Sequence, residues 1–315
     1  SRCRGDARAV SADDSHPGRA GSSKLNAPLD APVEGAHGKI GPTAHYTAYV
    51  WHRLGLPHAA HFKTGTGRVL YWGFFAMGEW ATRLSSAVPS MRDYLEYRHR
   101  LIDAVLAVEE PDRVIEVGAG LSPRAVAWVL DHGVPAVELD LPAMAAAKRE
   151  RIAQLPAAAR QRLEGRHTVL DVDALAPGFP DRLAEVVGGA RRPVVIAEGV
   201  MSYFDDQRRQ QLITGIAEGL RRAGGGLYVC DTHTRTAQAR VGKATTVLKT
   251  AIRALTRQRR ALSAYPDQTA LFRAFRTAGF DAAAIVDAAD HVEAQPRLRV
   301  LSSPALVVTG RVTAG

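Results

Sequence analysis

From Arg113 onward, short apolar runs alternate with longer segments whose apolar positions recur every three or four residues. The runs RVIEVGAG, PAVELD, HTVLDV, PVVIAEGV and GGLYVCD are nearly continuous in apolar residues. Such runs predict strands buried on both faces. Between them PRAVAWVLDHG, PAMAAAKRERIAQL, PDRLAEVVG and DDQRRQQLITGIAEGLRRAG have helical periodicity, with Gly133 as a stop and Pro142 near a start. DQTALFRAFRTAGF predicts one more helix. AAAIVDAAD and SPALVVTGRV then follow with no helix between them, which predicts an antiparallel hairpin at one edge. The pattern as a whole predicts a doubly wound, mainly parallel, seven-stranded α/β sheet of Rossmann-like type.

Upstream the pattern changes. Residues 1–40 are rich in Ser, Gly, Pro, Ala and Asp without periodicity, and are expected to be a disordered tail. Residues 41–108 hold three of the four tryptophans, with Tyr46, Trp51 and Trp72 among their aromatic positions, and end in the amphipathic segment MRDYLEYRHRLIDAVLAV. They are expected to form a helical cap on a domain covering 109–315.

Charge changes the picture in one place only. The net charge is +9, of which +1 lies in residues 1–40 and +8 in residues 235–260, leaving the remainder neutral. The high pI therefore describes one basic segment with helical spacing (Val241, Ala244, Val247, Leu248, Ile252, Leu255). It is expected at about 235–262 as a lid, with a solvated surface helix as the alternative. No added nucleic-acid module accompanies it, so nucleic acid is disfavoured as a partner. Apolar runs are too short for a bilayer crossing. The two cysteines, Cys3 and Cys230, lie in unlike contexts, which fits a reducing cytoplasm, and no Cys/His group has zinc-ligand spacing. The sequence opens on neither a methionine nor the apolar core of a secretory signal, as a fragment would. Oligomeric state is not legible.

Four consecutive strands end in an acid: Glu116, Asp140, Asp171 and Glu198. In a sheet of this kind ligands bind beyond the carboxyl ends of the strands. Glu116 precedes Gly118 and Gly120, which let the backbone turn and approach a ligand. A dinucleotide fingerprint would need a third glycine where Pro123 stands. An acidic rim repels a pyrophosphate and suits a cationic ligand bearing ribose hydroxyls and an amino group. This favours S-adenosylmethionine over NAD as cofactor. Taken singly, each residue also has a plainer reading: Asp140 as a helix cap, Asp171 as a turn residue, Arg98 on a solvated helix face, Tyr203 in a core.

The segments RHRLID, EVGAGLSPRA, ELDLPAMAAAKR, LDVD and EGVMSYF, spanning about Arg92 to Asp231, resemble the leucine carboxyl methyltransferase family of class I methyltransferases. That family usually has GAGLDTRA where this chain has Ser122-Pro123. The resemblance implies Arg98 on the donor's carboxylate, Gly118 on its backbone, Asp140 on the ribose, Asp171-Val172 at the adenine and Glu198 near the methionine end. The candidate cofactor set is Arg98, Glu116, Gly118, Gly120, Asp140, Leu141, Asp171, Val172, Glu198 and Gly199, with Tyr203 as the candidate catalytic residue and no metal. The expected function is O-methylation of a small-molecule or peptide carboxylate, or an acidic phenol. A carboxylate with a pKa near about 4 is already ionised and needs no base. The alternatives are a nucleic-acid methyltransferase and a nicotinamide-dependent dehydrogenase.

Overall fold

In the computed structural model, residues 41–76, 90–240, 264–301 and 303–314 are described. The tail expected at 1–40 and most of the basic lid, 241–262, lie outside them. Seven strands form one sheet: β1 Arg113–Val117, β2 Ala136–Asp140, β3 His167–Asp171, β4 Pro193–Ala197, β5 Gly226–Thr232, β6 Ala282–Ile285 and β7 Leu306–Val312. Their spatial order is β3-β2-β1-β4-β5-β7-β6. The first five strands run parallel, while β7 pairs antiparallel with both β5 and β6. The mainly parallel sheet with an antiparallel terminal pair is therefore as expected, with β6 at the edge. Order reverses between β1 and β4, which opens a crevice at their carboxyl ends.

Because side chains alternate along a strand, each strand feeds two cores. Val114, Val194, Ile196 and Val229 face one, against α3 (Met91–Glu109) and α4 (Arg124–His132). Ile115, Val195, Tyr228 and Val308 face the other, against α7 (Phe179–Val187), α8 (Asp206–Arg222) and α10 (Gln268–Ala278). On the ribbon between β2 and β3 run α5 (Pro142–Ala153) and a short α6 (Ala157–Leu163), the latter not anticipated. The basic segment begins as a six-residue helix, α9 (Arg235–Arg240).

Local signals set the helix ends. Ser90 and Asp93 form a reciprocal capping box at α3. Gly133 closes α4 at φ 70°, and Asp205 caps α8 by accepting from the Arg208 amide at 2.9 Å.

The amino-terminal elements α1 (Gly41–Arg53) and α2 (Gly65–Phe74) pack on the first half of α3 through Tyr46, Tyr49, Tyr71, Phe74, Tyr94 and Leu95. The second half of α3 enters the sheet core. Trp51 and Phe62 also join that core, so residues 41–76 and 90–108 share packing with β1 and β4. The strand expected over AAAIVDAAD stops at Ile285, where Asp287 caps a 3-10 turn over Ala288–His291. No helix among the described residues is long and apolar enough to cross a membrane.

Beneath β5 and β7, Phe275 packs against both Tyr228 and Phe280 at ring separations of 6.0 and 5.2 Å and is wholly buried. Phe275→Ala is expected to cost about 3–5 kcal/mol of stability through lost transfer energy and a residual cavity. Urea denaturation measures this, and a loss under about 1 kcal/mol would show that the aromatic cluster does not anchor the antiparallel edge.

Candidate active site

The carboxyl ends of β1, β2 and β4, roofed by α1 and α3, enclose a cavity of about 730 Å³. Its floor is the turn after β1. Gly118 has φ +66°, and a Cβ there would stand 2.6 Å from Val200 Cγ2. Gly120 has φ +53°, and its Cβ would stand 3.2 Å from Ala44 Cβ, so the first turn of α1 lies directly over the glycine turn. Both positions demand glycine, through backbone conformation and through lack of room.

Asp140 closes the turn from the β2 side. One of its oxygens accepts from the Gly120 amide at 2.6 Å and the other from the Leu141 amide at 2.7 Å. Burial raises its carboxyl, the two amides pull it back, and it settles at about 6. Because the folded value lies above the unfolded one, this group's contribution to stability is full below about pH 4 and is lost as pH rises through 6. Keeping Asp140 ionised at neutral pH thus costs stability, as functional acids often do.

At the β4 side the acids are not bare. Glu198 accepts from Arg98 Nε at 3.0 Å, meets His99 Nδ1 at 2.9 Å and lies 2.7 Å from Arg124 Nη1. Burial pushes its carboxyl up, but His99, Arg124 and Arg98 outweigh it and hold it well below the usual range. Arg98 also donates through Nη1 to Asp231 at 3.3 Å and to the Tyr94 hydroxyl at 3.4 Å, and its Nη2 lies against Gly199. Asp231 in turn accepts from the Gly199 amide. Arg124 donates through Nε to Asp103 at 2.6 Å and through Nη1 to Glu116 at 2.9 Å.

Of the residues expected at the site, Arg98, Gly118, Gly120, Asp140, Leu141, Val172, Glu198, Gly199 and Tyr203 line the cavity. Glu116 and Asp171 do not. Glu116 sits behind the turn, accepting from Ser122 Oγ at 3.1 Å and from Arg124, and burial raises its carboxyl. Asp171 is exposed and paired with Arg149 at 2.8 Å, while Asp173, two residues on, lines the cavity. Strand alternation explains the exchange: residues two apart share a face only while the strand continues, and β3 ends at Asp171. The expected ring of four acids is therefore a correction. Glu116 and Glu198 are neutralised from below, Asp171 from outside, and Asp140 makes no direct ion pair among the described residues.

Sequence reading missed Arg124, His99, Tyr94 and Asp231. One signal was available for Arg124: a cation in the first turn of a helix opposes the helix dipole and implies acids close by.

Removing Glu198 would take one carboxylate from each of two buried guanidinium groups, leaving Arg98 to Asp231 and Arg124 to Asp103 and Glu116. Glu198→Ala is expected to destabilise the fold by about 1.5–3 kcal/mol. Its depressed carboxyl contributes stability that is present above about pH 4 and lost only as pH falls further. Denaturation of parent and variant across the acid range checks both points, and equal stabilities would refute the ion-pair account.

Known proteins place the fold and the family. A putative methyltransferase from Thermobifida fusca superposes with a TM-score of 0.52 at 14% identity, over 90% of this chain and 100% of that one. An O-methyltransferase family protein from Burkholderia thailandensis gives 0.49 at 19% identity, over 88% and 73%. PigF, solved with SAH, gives 0.42 at 16%, over 64% of this chain, which spans about half (51%) of PigF. No curated protein matches. The family model for leucine carboxyl methyltransferase matches residues 59–217, just over half of the 315 residues. The glycine turn, Asp140 and the Arg98–Glu198 pair all lie inside that match, and the chain belongs to the leucine carboxyl methyltransferase family, whose members use S-adenosylmethionine on a class I methyltransferase fold.

Proposed function

We propose that this chain is an S-adenosylmethionine-dependent O-methyltransferase acting on the carboxylate, or an acidic phenol, of a small-molecule or peptide acceptor. The observation that carries the reading is the cradle itself: a turn at Gly118 and Gly120 with no room for a side chain, flanked by an ionisable Asp140 on one side and Arg98 on the other. These residues fit the donor. Asp140 accepts from ribose hydroxyls, Leu141 and Val172 enclose the adenine with Asp173 replacing Asp171 at its rim, and Arg98 with Glu198 receives the amino-acid end. Bound there, S-adenosylmethionine supplies an electrophilic methyl group for in-line transfer to an oxygen.

The rest of the work is alignment, which can contribute about 7–11 kcal/mol when reactants are held in a near-attack geometry. Tyr46, Trp51, Met91, Tyr94 and Leu95 give the acceptor side of the cavity an aromatic and apolar wall that excludes water. Burial raises the Tyr203 phenol, so at neutral pH it keeps its proton. Tyr203 is then a hydrogen-bond donor that orients the acceptor oxygen, and not a base. An acceptor carboxylate arrives ionised and requires none.

The charge-assisted contact to Asp140 sets two expectations. S-adenosylhomocysteine affinity falls as pH drops through about 6. Asp140→Asn weakens it about tenfold or more at neutral pH and flattens that dependence. Isothermal titration with S-adenosylhomocysteine and with NAD tests the reading. Binding of NAD in preference, or unchanged affinity in a folded Asp140→Asn protein, would overturn it.

A further inference from the structure

Arg124 is the largest of the essentially fully buried side chains among the described residues, although it sits at the first position of α4. A cation there meets the positive end of the helix dipole and has left water, two costs that only close anions offset. The anions come from three elements. Nε binds Asp103 on α3, while Nη1 reaches Glu116 at the end of β1 and Glu198 just past the end of β4. Nη2 donates to the His99 carbonyl at 3.2 Å. Nη1 therefore bridges the two strands between which the sheet changes direction. A planar fork can satisfy three directions at once, which a lysine ammonium on its flexible stem does not reproduce.

Arg124 does not line the cavity, but Glu198, which it contacts, and Arg98, which Glu198 holds, both do. Glu198 Oε2 is shared between Arg124 and His99, which leaves Oε1 for Arg98 Nε. Arg98 is thereby turned so that Nη1 meets Asp231 and Tyr94 and Nη2 lies against Gly199. Without Arg124, Glu198 loses its shortest ionic contact and the end of Glu116 that steadies the glycine turn is left without its guanidinium.

We propose that Arg124 is a positioning residue for the amino-acid end of the methyl donor, acting through Glu198 to set the Arg98 guanidinium. The inference rests on the donor reading above and extends it to a residue that touches neither donor nor acceptor. It makes a directional claim: the amino-acid end of the ligand is affected and the nucleoside end is not.

Two ligands separate these ends. S-adenosylhomocysteine carries both, and 5′-methylthioadenosine lacks the carboxylate and ammonium. Calorimetric titration of the parent, Arg124→Gln and Asp103→Asn proteins with each is the test, with thermal unfolding as a check on fold. Arg124→Gln is expected to weaken S-adenosylhomocysteine about tenfold or more while 5′-methylthioadenosine changes less than about twofold. Asp103→Asn, which frees Arg124 Nε at a partly exposed position, is expected to give the same selective loss at a few-fold size and decides the matter if Arg124→Gln does not fold. Equal weakening of both ligands, or no weakening of either in folded variants, would overturn the positioning role. A parent protein that binds neither ligand would instead sink the donor reading on which it stands.

Discussion

A glutamate buried at the end of a central strand must be met by positive charge within hydrogen-bond reach, and the site is built on that requirement. Glu198 follows five wholly apolar, buried residues of β4. Leaving such a carboxylate unpaired in a low-dielectric interior costs several kcal/mol. The chain answers with Arg98 from α3 and Arg124 from the start of α4, and His99, next to Arg98, brings a ring nitrogen to 2.9 Å. Those three residues tie the amino-terminal helices to the sheet at the crevice between β1 and β4. The same ties hold Arg98 beside Gly199, at the rim of the cavity.

Asp140 is treated in the opposite way. It is half-buried, makes no direct ion pair among the described residues, is held by two backbone amides, and has its carboxyl pushed up to about 6. An ion-paired acid on one side of the glycine turn and one held by backbone amides on the other divide the cavity electrostatically. The β4 side is a network of two guanidinium groups and the carboxylates of Glu198, Asp231, Glu116 and Asp103. The β2 side offers the Asp140 carboxyl, held by the Gly120 and Leu141 amides. At Glu198 the cost of burial is offset by cationic partners, and at Asp140 it raises the carboxyl.

The amino-terminal helices do more than cover the sheet. Ala44 meets the glycine turn, Trp51 lies 5.0 Å from the His99 ring, and Tyr94 stacks on His233 just beyond β5. Cavity wall and charge network are therefore made by the same elements. Tyr94 and Trp51, both in the cavity wall, each stand one contact from Glu198, through Arg98 and His99.

Periodicity alone determined the seven strands, the helices between them and the antiparallel closing pair, because strand and helix periods are local properties of the chain. The glycines at 118 and 120, Asp140 and Glu198 were legible for the same reason: each sits at a strand end, where an acid or glycine interrupts an apolar run. Tertiary structure alone decided which acids face the cavity. Asp171 and Asp173 differ by two positions in a segment where the strand stops, and only the course of the chain shows that Asp173 turns inward. It also decided that Glu116 lies behind the turn, that Arg124 and His99 meet Glu198, and that Asp231 meets Arg98. These partners lie about 70 to 130 residues apart, on the order of a whole domain's length, and long-range ion pairs leave no periodic trace in a sequence.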